Sequence, residues 1–331
     1  MSGPFEIWHD EEHSFPPLED VWFVTGATAT GKTRVGVELA ERINAEILSM
    51  DSMAIYRGMD IGTAKPDPEL LRRVPHHLLD IVDPTEEFSV SQYTAMAHQI
   101  VASLRSRGKQ ALFVGGTPLY LKALVRGLYP GPPADWRFRR EAEREARRLG
   151  VEALHRQLAA LDPLAAAKLH PHDLRRIIRA LEVFHLTGKP LSHQQLHFEE
   201  GRPADQCRVF VLRWPRALLH ERIQQRVKNM LQRGLIDEVR QLLVRYGTLS
   251  RTAAQAVGYR EVQRYLAGEW TYEQTEEAIL VRTRQFARRQ ETWFRHLSEC
   301  TWVEMRDGES PAEVAERILR MASLRAASDA H

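Results

Sequence analysis

The chain of 331 residues is 43% hydrophobic and 27% charged, with a formal net charge of +2, and so has the composition of a globular protein of one large or two modest domains. No apolar run approaches the roughly 18 to 20 residues of a membrane-spanning helix, and the N-terminus lacks the pattern of a signal peptide. We therefore expect a cytoplasmic protein with no membrane contact.

Residues 1–20 hold six acids and no Lys or Arg, which predicts a flexible acidic leader. Removing this charge of −6 from the total of +2 leaves +8 on residues 21–331. Of the 46 cations 39 are Arg, whose planar fork suits phosphate and nucleic acid, although codon bias in a GC-rich genome explains the excess equally well. Two distant cysteines, Cys207 and Cys300, indicate a reducing compartment.

Short apolar runs punctuated by Gly, Pro and Asp predict buried strands. In chain order the predicted strands are Val21 to Thr25, Glu46 to Met50, Ala111 to Val114, Arg208 to Arg213 and Thr301 to Glu304. Helical patterns at 32–42 and 92–107 alternate with the first three, which indicates an α/β fold with a mostly parallel sheet. The segment 130–200 has no strand signal and predicts an all-helical insertion domain, so 21–129 and 201–331 form the predicted core. The chain is again helical from residue 216, ending with an amphipathic stretch at 311–324.

The sharpest motif follows the first predicted strand and opens the first helix. It reads G-x-x-x-x-G-K-[ST] and comprises Gly26, Ala27, Thr28, Ala29, Thr30, Gly31, Lys32 and Thr33. In a P-loop NTPase-like fold, backbone N–H groups of such a loop surround phosphate oxygens, the lysine neutralises them, and the hydroxyl after it binds Mg²⁺. The motif therefore predicts a polyphosphate site with Thr33 as a Mg²⁺ ligand.

Two further motifs follow the second and third strands, where parallel strands bring their carboxyl ends to one edge. Asp51-Ser52 offers a carboxylate for Mg²⁺ or for an acceptor nucleophile, and Gly115-Gly116-Thr117 offers close backbone approach and a hydroxyl. A strand-ending Asp and a plain turn are the simpler readings. The adjacent His76 and His77 lack the spacing of a zinc site, so a structural role is favoured.

Arg-rich helical segments lie at 137–148, 175–179 and 282–295. Each taken alone is typical of a solvated helix face. On a chain whose body is net positive, together they indicate a polyanionic macromolecule larger than a nucleotide.

In this set of motifs the chain resembles the tRNA dimethylallyltransferases of the bacterial type, over about residues 20–305. Besides the P-loop, the resemblance rests on segments 51–52, 55–66, 75–81, 115–117 with Tyr120, 176 with 179–183, 255–260, and 283–285 with 288–290 and Trp293. It implies transfer of a dimethylallyl group from its diphosphate to the exocyclic N6 amine of the adenosine immediately 3′ of the anticodon in tRNA. The phosphate-binding loop at residues 26–33, called the cradle below, would then hold a prenyl diphosphate with Mg²⁺.

The resemblance also implies roles for individual residues. Asp51 would take the amine proton, Thr117 and one of Arg222 and Arg226 would contact the diphosphate or the reacting centre, and Arg139 would lie near the reaction channel. The partner is the anticodon stem-loop, from which the adenine is extruded and against which the insertion clamps. The implied tRNA-contacting residues are Asp51, Ser52, Met53, Ala54, Arg175, Arg176, Ile177, Ile178, Arg179, Gln255, Ala256, Val257, Gly258, Tyr259 and Arg260. A monomer is the simplest assembly for such an enzyme.

Two departures and two rival functions accompany this prediction. Ala27 and Thr30 stand where the family usually has Pro and Ser, and Pro118 removes an N–H next to Thr117. A small-molecule or nucleotide kinase would use the same loop, Mg²⁺ and Asp51, and a catalytically idle RNA-binding protein would use phosphate only structurally.

Overall fold

The chain is described here by a computed structural model that covers residues 14–194, 198 and 200–328. These residues divide into two compact units. The first, called the sheet unit, comprises residues 18–125 and 201–328, and the second, called the helical unit, comprises residues 14–17, 126–194, 198 and 200. The predicted boundaries at 129/130 and 200/201 fall near this division.

The described strands form one sheet in the sheet unit. They are β1 Trp22–Gly26, β2 Ala45–Ser49, β3 His76–His77, β4 Gln110–Val114, β5 Val209–Arg213 and β6 Cys300–Glu304. Their order is β3-β2-β4-β1-β5-β6, and every neighbouring pair is parallel. The predicted α/β class with a mostly parallel sheet is therefore confirmed.

The helices follow in chain order. They are α1 Lys32–Arg42, α2 Pro68–Arg73, α3 Val90–Ser106, α4 Pro118–Arg126, α5 Trp136–Leu149, α6 Val151–Leu161, α7 Pro163–Lys168, α8 Leu174–Thr187, α9 Leu191–Gln194, α10 Arg216–Gln232, α11 Leu235–Tyr246, α12 Tyr259–Leu266, α13 Tyr272–Arg295 and α14 Pro311–Ser328. Within the stretches that the structure covers, no helix is long and apolar enough to cross a membrane.

The central strands are continuous apolar runs because the parallel sheet is covered on both faces. All five residues of β1 and of β2 are buried. α1 packs closely on β4 at Gly36, where an added Cβ would lie 2.6 Å from a methyl group of Val114. The carboxyl ends of β1, β2 and β4 therefore meet at one edge, and the loops that follow them carry the predicted phosphate and acceptor motifs.

The short edge strand β3 is absent from the sequence prediction because its two residues are histidines. They pair with Ile47 and Leu48 of β2. His77 Nε2 lies 2.7 Å from Glu46 Oε2, and the same carboxylate accepts two hydrogen bonds from Arg107. Arg107 and His77 hold the pKa of Glu46 down to about 2, so this buried carboxylate stays ionised and ties the edge strand to the sheet.

Helices α5 to α9 pack around their own apolar core in the helical unit. Ile177 and Ile178, which the sequence prediction placed on the tRNA surface, are 0% and 5% exposed within this core. The prediction is wrong for their side chains, because consecutive residues of α8 cannot all face one side of a helix with 3.6 residues per turn. Arg175 and Arg176, one step earlier, are exposed.

The predicted leader of residues 1–20 also needs correction at its end. Phe15 exchanges two backbone hydrogen bonds of 2.9 Å with Leu128 within the helical unit. Leu18 is buried in the sheet unit, where its N–H donates to Leu124 O at 2.7 Å. The two apolar side chains anchor this stretch, whereas the prediction weighed only its charges. Residues 1–13 lie outside the described residues.

Candidate active site

A cavity of about 410 Å³ opens in the sheet unit at the carboxyl ends of β1, β2 and β4. Its walls come from the P-loop, from the segments after β2 and β4, and from α10 and α13. Helices α10 and α13 contribute four apolar side chains to the lining, namely Val227, Met230, Ile279 and Phe286, and five polar ones, namely Arg226, Arg282, Thr283, Arg289 and Gln290. The cavity lining thus combines groups that can bind an anion with apolar side chains.

The P-loop is shaped by residues with left-handed backbone. Ala29 and Gly31 have φ of +66° and +93°. An added Cβ on Gly26 would lie 2.4 Å from the carbonyl oxygen of Leu212, so the first motif position has no room for a side chain. Left-handed residues of this kind before the N-terminus of a helix are typical of an anion-binding nest. The Lys32 ammonium meanwhile donates to Ala27 O at 2.8 Å.

Lys32 and Arg226 are neighbours among the cationic side chains that line the cavity. Burial and the neighbouring charge of Arg226 lower the pKa of the Lys32 ammonium to about 7, and the carboxylate of Asp51 opposes this shift. Burial likewise lowers the pKa of Arg226, again against the attraction of Asp51. A bound anion relieves the repulsion between like charges held together in a buried site, so this part of the cavity suits an anion.

Asp51 is fixed by its own turn. Its Oδ1 accepts hydrogen bonds from the N–H groups of Met53, at 2.8 Å, and Ala54, at 3.4 Å. Its Oδ2 accepts none from the described residues, so one carboxylate oxygen of this cavity-lining residue is held and the other has no hydrogen-bond donor among them. The arrangement suits a group that must receive a proton at a defined position.

The loop after β4 positions Thr117 beside Asp51. Thr117 Oγ1 accepts the Ser52 N–H at 3.0 Å, and the Thr117 N–H donates to Met50 O at 3.2 Å. An added Cβ on Gly115 would lie 2.1 Å from Met50 O, which explains the glycine there. Pro118 is the first residue of α4, a position that needs no N–H donor, so the departure noted in the sequence leaves this geometry intact.

The structure separates the two candidate arginines of α10. Arg226 lines the cavity beside Lys32. Arg222 lies on the outer side of the P-loop, where its Nε donates to Ala29 O at 2.9 Å and its guanidinium stacks 4.6 Å above the Trp214 ring. Arg226 is therefore placed to touch a ligand, and Arg222 supports the loop from behind.

Sequence reasoning assigned no role to Gln290, which the structure places at the P-loop. This α13 side chain is 3% exposed. Its Oε1 accepts the Thr28 N–H at 2.9 Å, and its Nε2 donates to Gly116 O at 2.5 Å. Gln290 belongs to segment 288–290 of the family resemblance, but no feature of the sequence indicates which groups its side chain binds.

A second wall of the cavity is the segment 62–66, held by Glu238 of α11. The Glu238 carboxylate accepts the N–H groups of Asp60, Ile61 and Gly62 at 2.6 to 3.1 Å. It also accepts the hydroxyl of Tyr259 at 2.5 Å. Glu238 is a further residue that sequence reasoning missed.

The predicted tRNA-contacting residues of the sheet unit divide into three groups. Asp51, Ser52, Met53, Ala54, Gln255, Ala256 and Val257 line the cavity. Arg260 is exposed, whereas Gly258 is buried and Tyr259 is 0% exposed. The prediction of a surface contact is wrong for the Tyr259 side chain, because the ring packs in the core and its hydroxyl binds Glu238.

In the helical unit, Arg139 and Arg179 both bind the carboxylate of Glu182, which is 0% exposed. Arg139 donates two hydrogen bonds of 2.7 Å and Arg179 donates one of 2.7 Å. The two arginines hold the pKa of Glu182 below its usual range in spite of burial. Arg139 and Arg179 are thus neutralised in part by a buried carboxylate inside the unit, whereas Arg175 and Arg176 are exposed.

A parallel sheet with a G-x-x-x-x-G-K-[ST] loop between β1 and α1 defines a P-loop protein, and Asp51 and Thr117 line one cavity together with residues of that loop. The family model described as "IPP transferase" matches residues 54–297. The chain belongs to this family.

Relatives and solved structures agree with this membership. The tRNA dimethylallyltransferase of Rhodopirellula baltica is 46% identical over 93% of this chain and 95% of its own length, and that of Geobacter metallireducens is 49% identical over 85% and 91%. A crystal structure of a tRNA isopentenylpyrophosphate transferase from Bacillus halodurans matches with a TM-score of 0.68 and 38% identity, covering 95% of this chain and all of that one. A eukaryotic dimethylallyltransferase acting on tRNA matches with a TM-score of 0.75 at 25% identity, over 94% and 80%.

Proposed function

We propose that this chain transfers a dimethylallyl group from dimethylallyl diphosphate to the N6 amine of the adenosine immediately 3′ of the anticodon in tRNA, releasing diphosphate. The observation that carries the proposal is the composition of one cavity. It holds Lys32 and Arg226 near the P-loop, a carboxylate with one oxygen that accepts no hydrogen bond from the described residues, and several apolar side chains. The names of the relatives supply the substrate class.

The diphosphate fits the P-loop end of the cavity. The N–H groups of Ala29 to Thr33 would bind its oxygens, and Lys32 and Arg226 would neutralise its charge. When the bond between the allyl carbon and the diphosphate oxygen breaks, negative charge grows on the leaving group and positive charge on the carbon. Cations already in place lower this barrier without reorganising. The five-carbon group would lie against the apolar side chains of the lining, Val227, Met230, Ile279 and Phe286.

Mg²⁺ is the metal that these residues suit. Thr33 offers a hydroxyl oxygen at the cavity, and oxygen is the donor type that Mg²⁺ prefers. In the portion of the chain covered by the structure, no three His, Cys, Asp or Glu side chains are grouped to hold a metal ion. That is the pattern for an ion that keeps water and substrate phosphates as ligands. When bound, Mg²⁺ would add charge neutralisation of the departing diphosphate.

The amine is activated by Asp51 in this proposal. The exocyclic nitrogen attacks the allyl carbon, and its extra proton passes to Asp51 Oδ2. Thr117, held 3.0 Å from the Ser52 N–H, orients the acceptor side of the site. The adenine reaches this depth only when it is extruded from the anticodon loop, as other enzymes that act on bases require.

Exposed arginines of the helical unit would contact the RNA backbone. Arg175 and Arg176 are exposed, whereas Arg179 is engaged with Glu182. Replacing Arg175 and Arg176 together with Ala should weaken tRNA binding and reduce the slope of log affinity against log salt concentration by about 1 to 2. Arg240→Ala on α11 is the matched control and should leave the slope unchanged. An unchanged slope in the double variant would assign Arg175 and Arg176 to a solvated face.

The direct test is incubation of the protein with Mg²⁺, labelled dimethylallyl diphosphate and unmodified tRNA, followed by nucleoside mass spectrometry. We expect one five-carbon unit on adenosine, and none on a tRNA in which that adenosine is replaced by guanosine. Phosphoryl transfer from ATP with no prenyl transfer would move the protein to the kinases. Monomeric state and cytoplasmic location stay predictions, to be checked by light scattering and fractionation.

A further inference from the structure

The N–H groups of the P-loop are not equally available to a ligand. Those of Ala29, Thr30, Gly31, Lys32 and Thr33 donate to no acceptor among the described residues. That of Thr28 is different, because the side-chain oxygen of Gln290 accepts it at 2.9 Å. The protein therefore leaves a run of five donors without an acceptor among the described residues and satisfies the donor next to them with its own amide.

Gln290 is held firmly in this position. Its amide nitrogen donates to Gly116 O at 2.5 Å, so the side chain spans the gap between the P-loop and the loop after β4. An added Cβ on Gly116 would lie 2.6 Å from that nitrogen, so the amide fills the available space. Its neighbours on the same face of α13, Ala287 and Phe294, are buried in the core, which fixes the helix.

A bound phosphate chain meets this amide at one end of the donor run. Two phosphate groups have the five open donors, Lys32 and Arg226 to bind. A third group placed beyond Ala29 would need the Thr28 N–H or the volume that the amide fills, and would meet the side-chain oxygen of Gln290, whose partial negative charge repels phosphate. Displacing the amide would leave its buried polar atoms without partners, which is costly in a water-poor site.

We propose that Gln290 is a specificity-determining residue that limits the cradle to two phosphate groups and excludes triphosphates such as nucleotides. The inference deepens the proposed function, on which it rests for the cradle as a diphosphate site. This role of Gln290 explains how a loop that binds nucleoside triphosphates in many proteins discriminates against triphosphates in this chain.

The test measures binding of inorganic pyrophosphate and inorganic tripolyphosphate, each with Mg²⁺, to the full chain by calorimetry. Neither tRNA nor prenyl donor is present, so a failure of prenyl transfer and a failure of this discrimination are separate results. The wild-type protein should bind pyrophosphate at least about tenfold more tightly, since one hydrogen bond to a charged group is lost or blocked for the longer chain. Equal binding of the two anions by the wild type would overturn the proposal.

Gln290→Ala removes the amide and opens the gap. We expect tripolyphosphate to bind about tenfold more tightly than to the wild type, while pyrophosphate affinity changes by less than about threefold. Gln290→Asn keeps an amide that is one methylene too short to span both loops, so it should shift the ratio in the same direction and serves if the Ala variant does not fold. Gln285→Ala, an exposed position on α13, is the control. Retention of the wild-type ratio by folded Gln290→Ala or Gln290→Asn would refute the role of Gln290.

Discussion

The role of Asp51 can be isolated by Asp51→Asn, because the amide keeps one function of the carboxylate and loses the other. The Asn oxygen can still accept the N–H groups of Met53 and Ala54, bonds of 2.8 and 3.4 Å in the native turn. The negative charge and the proton-accepting Oδ2 are lost. General-base catalysis is worth about 10²- to 10⁴-fold in rate, or about 3 to 5 kcal/mol of barrier, so kcat should fall by that factor.

The assay is steady-state prenyl transfer to tRNA with both substrates varied, together with thermal unfolding. KM for tRNA should stay within about threefold, and Tm should be nearly unchanged for Asp51→Asn. Asp51→Ala, which also removes the turn hydrogen bonds at about 0.5 to 1.5 kcal/mol each, should lower Tm by a few degrees as well. A kcat of Asp51→Asn within threefold of the wild type would refute the reasoning. So would a loss confined to KM for the prenyl diphosphate, which would assign Asp51 to ligand binding.

Three more expectations concern charge. Arg226→Ala should raise the Kd for pyrophosphate by roughly tenfold or more. Arg222→Ala, outside the cavity, should lower thermal stability with a smaller change in Kd. Calorimetry and thermal unfolding of both variants decide between the two positions. Because the pKa of Lys32 is about 7 in the free protein and a bound anion favours the charged ammonium, pyrophosphate affinity should fall as pH rises above 7, and should fall less in Lys32→Arg measured over the same range. Glu182→Gln, which leaves two guanidiniums without a buried counter-charge, should cost about 3 to 5 kcal/mol in urea unfolding, against about 0 to 1 for the exposed Glu141→Gln, and similar losses would contradict the assigned weight of the buried ion pairs.

The sheet could be predicted from the sequence because its strands are apolar on both faces. Apolar runs such as 21–25 and 111–114, flanked by Gly-containing loops and polar helical segments, are readily recognised as buried strands. β3 could not, since two histidines carry no such signal and pair only because Ile47 and Leu48 present a free edge. The end of the leader was missed for the opposite reason, since its acids obscured the anchoring by Phe15 and Leu18.

At the site, residues inside a contiguous motif were predictable and their partners from distant segments were not. The P-loop is recognisable by its motif, and Asp51 and Thr117 by their positions directly after predicted strands. Residues of the P-loop, Asp51 and Thr117 all line one cavity in the structure. Gln290 and Glu238 act only through the loops that they reach, so their residue types alone indicate nothing. The prediction that every residue of a segment contacts RNA is wrong for some side chains, because one face of a helix or turn is buried, as at Tyr259.

The bond between Thr28 and Gln290 joins residues 262 positions apart in the chain. During translation β1 and the phosphate-binding loop are therefore synthesised early. Strand β5, which pairs with β1, and helix α13, whose Gln290 binds the loop, are synthesised much later. Contacts of such separation slow folding, because a long loop must close before they form. A nascent chain released before residue 290 carries the phosphate loop without its closing amide, so the ability to reject triphosphates is among the last properties that synthesis confers.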